Sequence, residues 1–166
     1  MTLGFSLYFD KAKKRPTHFP ERVLASLSHD AHVKCLGLFA EKYPDYYGPW
    51  FTEKPKLHTI RADEKDRWRP GMDIHFVVGN RTPNRYQFAP VVKCTEVQNI
   101  EMIFNIEGFL INVDGKRLTY EQKVDLAIND GFISYEHFLN WFVPICEKSP
   151  GLKFEGKIIH WTDTRY

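Results

Sequence analysis

Lys56, Thr59 and Arg61 stand at Lys-x-x-Thr-x-Arg spacing within "KPKLHTIR", residues 54–61, ahead of a Trp, a Pro-Gly turn and an apolar strand. An ammonium, a hydroxyl and a guanidinium so close together give one short segment many hydrogen-bond donors. Such a strand is either a solvated edge or the lining of a pocket. For a ligand-facing strand, Lys56 and Arg61, with Arg67 and Arg69 in the turn that follows, can engage phosphate or base edges, while Trp68 or Tyr86 stacks on a base. Stacking contributes about 1–3 kcal/mol per base, so a few such residues suffice without a strongly basic surface.

In a regular strand Leu57, Thr59 and Arg61 share a face that Lys56 does not. A joint role for Lys56 and Thr59 therefore places Lys56 in an irregular lead-in, which Pro55 favours. Further strands are expected at 74–78, 86–98 and 104–113, separated by "GNRTPN" and a break near 99–103. Asp114-Gly115 supplies a turn. Thr119 and Gln122 have capping-box spacing for a helix running to about Ile128, which Gly131 ends. Ser134 starts another helix, with Phe138, Trp141 and Phe142 as its apolar stripe, and "FEGKIIHW" supplies a last strand. Upstream, "LGFSLYF" at 3–9 reads as a first strand. From Pro20 onward, apolar residues recur at helical spacing through Phe39, as one long helix or as two that break at "SHD", 28–30, where Ser28 or Asp30 can cap. Pro44, Gly48 and Pro49 in "YPDYYGPWF" stop it.

A chain of 166 residues with 43% hydrophobic content supports one domain with a real core. The net charge of +2 excludes a general phosphate-coating surface, so contact with nucleic acid has to be local. Cys35, Cys94 and Cys146 lie far apart with no C-x-x-C pair, which suits reduced, buried thiols better than a disulfide framework. "MTLGFSLYFDKAKKRP" puts an apolar run before a basic cluster, the reverse of a secretory signal, and no run of 18 apolar residues follows. The expectation is a soluble, cytoplasmic protein without membrane contact. His29, His32 and Cys35 share a helix face but lack a paired ligand nearby. No phosphate loop, H-E-x-x-H or serine elbow occurs, so no cofactor and no metal are expected. His58, His75 and His160 fall on strands, where satisfied or half-exposed histidines are the rule. A β-rich middle with helices before and after predicts an α+β domain whose sheet curls into a small barrel closed by the terminal strands, with a ligand at its mouth.

"KLHTIRADEKDRWRPGMDIHF", then strands, then "LAINDGFISYEHFLNWF" and "KIIHWT", resembles the ASCH domain family, part of the PUA-like superfamily of small β-barrels. The resemblance covers residues 54–161 and the first strand, leaving residues 12–50 as a helical insertion within one domain of residues 1–166. It implies RNA-related roles and, in one bacterial branch, hydrolysis of acetylcytidine and related amides by a Lys, a Thr three residues later and an acid from the later helix. Those positions fall on Lys56, Thr59 and Asp130, and Arg61 matches a basic residue after the Thr. This chain has Lys54-Pro55 where the family has a Gly before the Lys, and an Asp where the hydrolase branch has the longer Glu.

Hydrolysis asks much of these groups. A Thr hydroxyl needs a base within hydrogen-bond reach, and a lysine serves only if burial or a cationic neighbour lowers its pKa from about 10.4. Asp130 then has to protonate the leaving amine. Recognition asks less. The leading expectation is therefore recognition of RNA or a nucleobase-containing small ligand at a barrel mouth lined by Lys56, Thr59, Arg61 and Asp130. The runner-up is an amidohydrolase of an acylated nucleoside, and a third class is an RNA-cleaving enzyme or a protein-binding adaptor that uses the inserted helices.

Overall fold

A computed structural model describes residues 1–10, 12, 14–46 and 54–166. The chain is α+β, with four α-helices among the described residues. Its backbone contacts divide it into two compact units, Met1–Lys56 with Met72–Lys93, and Leu57–Gly71 with Cys94–Tyr166.

In the first unit, β1 (Thr2–Phe5) runs parallel to β5 (Asp73–Val78), which also pairs antiparallel with β6 (Tyr86–Gln87) and β7 (Val92–Lys93). The expected first strand is split. Thr17 receives the chain at Ser6 and Leu7, through Thr17 Oγ1 to the Ser6 carbonyl and Thr17 N–H to the Leu7 carbonyl, so β2 (Tyr8–Asp10) leaves β1 and pairs with β3 (Arg15–Pro16). Two helices follow, α1 (Phe19–Ala25) with Pro20 in its first turn and α2 (His29–Lys42) with Ser28 at its N-cap. Gly48 and Pro49 lie outside the described residues. The core of this unit is aromatic, Phe5 meeting Phe76 and Phe88, and Phe39 meeting Phe88.

The second unit holds a five-stranded antiparallel sheet in the order β10-β9-β8-β11-β4, from β4 (His58–Arg61), β8 (Glu96–Asn105), β9 (Gly108–Val113), β10 (Lys116–Arg117) and β11 (Lys153–His160). The break expected near 99–103 is absent. β8 runs straight through it because Gln98, Ile100 and Met102 are buried while Asn99 is exposed, a period of two that a strand satisfies. The chain turns instead at Ile106 and Glu107, and Gly108, whose φ of 102° suits a residue without a Cβ, opens β9. Asp114 and Gly115 both take positive φ and join β9 to β10 as a tight hairpin. Thr119 and Gln122 form the reciprocal capping box that opens α3 (Tyr120–Asn129), and the Ser134 hydroxyl accepts from His137 N–H to open α4 (Tyr135–Glu147). α4 packs on β8 and β11, burying Phe138, Phe142 and Cys146.

No closed barrel is found among the described strands. β1 belongs to the β5 sheet, and β11 lies between β8 and β4 instead of sealing an edge against β1. The alternation that predicts strands does not say which strand each will pair with.

Candidate functional site

β4 is the outermost strand of its sheet, yet His58, Thr59 and Ile60 are all buried. Its register against β11 sets His58 opposite His160, Thr59 opposite Ile159 and Arg61 opposite Lys157. Alternation then puts His58 and His160 on one face and Thr59 with Arg61 on the other. Gly156 lets β11 come this close, since a Cβ there would lie 2.5 Å from the Arg61 carbonyl oxygen.

The end of α3 takes the place of a further strand beside β4. Leu57 N–H donates to the Asn129 carbonyl at 2.8 Å, and Ile60 N–H donates to Asp130 Oδ1 at 3.2 Å. Asp130 is the C-cap of α3, where the helix dipole disfavours a carboxylate. It is 4% exposed and accepts from the Ile60 amide, while His58 Nδ1 lies 3.7 Å from the same oxygen, beyond hydrogen-bond distance. Burial lowers the Arg61 guanidinium from its ordinary value, and the charge of Asp130 opposes that. Thr59, Arg61 and Asp130 are thus gathered around one short strand.

On the other ring nitrogen of His58, Nε2 lies 2.8 Å from the Tyr166 hydroxyl, which also accepts from Asn129 Nδ2 at 2.9 Å. Burial pushes the Tyr166 phenol above its ordinary value, so it stays protonated and can donate to Nε2. Gln98 holds Tyr166 by both its backbone N–H and its carbonyl. His160 packs 5.2 Å from the His58 ring, and neither of its nitrogens has a hydrogen-bond partner among the described residues. Burial, with Arg165 nearby, brings its pKa down to about 4. Of the three strand histidines, His58 is buried with its Nε2 partnered by Tyr166 and His75 is half-exposed beside Gln87, as expected, whereas His160 departs from the expectation, buried with neither ring nitrogen hydrogen-bonded among the described residues. Neither His58 nor Tyr166 carries a local signal in the sequence, because strand register and a segment over 100 residues away bring them together.

Lys56 precedes β4 in irregular backbone and belongs to the first unit. It is 1% exposed, its N–H donates to the Arg22 carbonyl, and its ammonium lies 4.8 Å from the Phe19 ring centroid and 5.9 Å from that of Phe5. The same unit buries Glu21 and Arg22 of α1, and Glu21 faces His18 at 3.3 Å and the Tyr46 hydroxyl at 3.4 Å. Sequence periodicity read α1 as apolar and missed these buried charges. Tyr86, also in this unit, is half-buried with its ring 6.0 Å from Tyr43.

The turn after β4 handles its charges locally. Asp63 accepts from the amides of Arg67 and Trp68 and from Arg67 Nε. Burial pushes its carboxyl up, but these donors outweigh that and leave it below the ordinary range. Arg69 pairs with Asp66 at 2.9 Å, as does Lys157 at 2.8 Å. The Trp68 ring is 4% exposed, so it anchors the turn and is not open as a stacking platform. Beyond this turn a polar concavity of about 540 Å³, lined by Asp63, Glu64, Glu101, Asp114, Glu155 and Lys157 among others, contains none of the expected site residues. Its excess of carboxylates repels phosphate.

No family model, curated protein or solved structure matches this chain. Among the described residues no helix is long and apolar enough to cross a membrane.

Proposed function

We propose that this protein recognises a nucleobase-containing small ligand through the polar groups around β4, Thr59, Arg61 and Asp130, rather than an extended RNA. The observation that carries the reading is the Asp130 carboxylate, buried at the wrong end of a helix and fixed beside β4 by the Ile60 amide. A guanidinium and a hydroxyl on one face of β4, with a carboxylate at its edge, offer the donors and acceptors that a base edge pairs with. The paired charges of Arg67 and Arg69 and the buried ring of Trp68 weigh against a polymer, which needs phosphate contacts and open stacking faces. An ASCH-type, PUA-like origin and a cytoplasmic location belong to this reading. The order of motifs along the chain supports the former, and the spread of reduced, unpaired cysteines supports the latter. The test is calorimetric titration with cytidine, N4-acetylcytidine and a short single-stranded RNA. A nucleoside should bind with little salt dependence and be lost in Arg61→Ala and Asp130→Asn; tighter RNA binding with a steep salt slope would overturn the small-ligand reading.

A second reading, an amidohydrolase of acylated nucleosides, draws on the Lys-x-x-Thr spacing of Lys56 and Thr59 and on the buried Asp130 carboxylate. It predicts acetate release from N4-acetylcytidine that Thr59→Val and Lys56→Met both abolish. An adaptor role rests on Val33 and Leu38, which α2 leaves exposed.

A further inference from the structure

Between α3 and α4 lies a groove of about 650 Å³. Tyr120, Val124 and Ile128 recur every four residues along α3, and Tyr135 and Leu139 do the same on α4, so each helix gives the groove one apolar wall, with Ile133 in the connection. The core-facing residues of these helices are others, Leu126, Ala127, Phe138 and Phe142. The groove walls are a second apolar face, and they are open: Tyr120 is 66% and Ile133 53% exposed. Tyr120 and Tyr135 meet edge to face at 5.8 Å, which fixes one end of the channel.

The rim is acidic. Glu136 lies in the wall, and Glu121 and Asp125 are exposed one position beyond Tyr120 and Val124. Lys123, the one Lys or Arg of α3, turns inward and donates to the Phe109 carbonyl at 2.8 Å; α4 has no Lys or Arg at all. From Tyr120 to Ile128 the channel runs about 12 Å, a little over two helical turns. An apolar channel of this length with carboxylates along it fits a helix with apolar anchors on one face and cations beside them. The same carboxylates disfavour an anionic lipid surface or a nucleic acid.

We propose that this groove docks an amphipathic helical segment of a partner protein, with apolar anchors at i, i+4 and i+7 between α3 and α4 and Lys or Arg set against Glu121, Asp125 and Glu136. This inference is independent of the ligand reading for β4. The probes are two synthetic helical peptides of about 14 residues, with Leu at the three anchor positions and either Lys or Glu beside them, titrated into the full chain by fluorescence anisotropy. The Lys peptide should bind, weaken as salt is raised, and exceed its Glu twin by about tenfold. Combining Glu121→Lys, Asp125→Lys and Glu136→Lys, all surface changes, should reverse that preference, and Ile133→Asp should abolish binding with the circular dichroism unchanged. Amide shifts should be confined to residues 120–139. Equal binding of the two peptides, no binding, or shifts elsewhere would overturn the proposal. So would a dimer of this chain that Ile133→Asp dissociates, which assigns the groove to a second copy, or capture of anionic vesicles that the same change prevents.

Discussion

β4 and the turn that follows it carry polar groups at similar density and treat them in opposite ways. In the turn, Arg67, Arg69 and Asp66 stay at the surface, and each cation meets an aspartate three or four residues away. In β4, His58 and Thr59 are buried, and what accompanies them comes from far along the chain, Asp130 from α3 and Tyr166 from beyond β11. Local pairing is what a solvated loop does to stay soluble, and it contributes little to stability. Groups assembled over long range at the cost of desolvation need a compensating network, and sites that bind ligands or do chemistry are where such costs concentrate.

The widest separation between the two regions should come from Asp130→Ala, which leaves the buried Ile60 amide unsatisfied and removes the charge facing Arg61. We expect a loss of about 3–4 kcal/mol in urea unfolding. Asp130→Asn, which keeps an acceptor, should lose far less, and Asp66→Ala in the turn should leave the urea midpoint unchanged. Equal effects at Asp66 and Asp130 would erase the contrast.

Acid provides the next test. Folding holds the His160 pKa at about 4, against an ordinary value of 6.5. The unfolded chain therefore binds this proton first, and stability falls as the pH drops from about 6.5 towards about 4, by roughly 3 kcal/mol over the full window. Above pH 6.5 this group adds no slope. His160→Phe should flatten that limb of the stability profile, whereas a limb unchanged by the substitution would assign it to other groups.

A smaller effect is expected at Gly156. Adding a methyl by Gly156→Ala places a Cβ against the Arg61 carbonyl and should cost about 1–3 kcal/mol and shift the amide resonances of β4. Smallest of all is Arg67→Ala. It breaks an ion pair whose guanidinium is 60% exposed, and thermal unfolding should move by no more than about a degree or two.

What was legible in the sequence followed the range of the rule involved. The Thr119–Gln122 capping box, the Ser134 cap, the Asp114-Gly115 turn and the Ser28 break between α1 and α2 each depend on residues within four positions of one another, and each stands where its spacing puts it. Lys56 in irregular chain before β4 follows from Pro55 in the same way. The partition into two sheets was not legible, because β1 pairs with β5 some 70 residues on and nothing in either strand names the other. β8 is hard to read in the sequence because its polar residues, Asn99 and Glu101, resemble a break although they are the outward half of an alternation. At the site, the motif pointed to Thr59 and Arg61, and resemblance pointed to Asp130. His58 and Tyr166 had no local signal, and the buried Glu21 and Arg22 were hidden inside an apolar helical pattern.

Either β4 or the turn after it meets the ligand. One calorimetric series decides this: N4-acetylcytidine titrated into the wild-type chain, into Thr59→Val and Asp130→Asn, and into Arg67→Ala and Arg69→Ala. Binding that disappears in the first pair and persists in the second is the predicted result. Binding kept by the β4 and α3 variants and lost in the turn variants would contradict it.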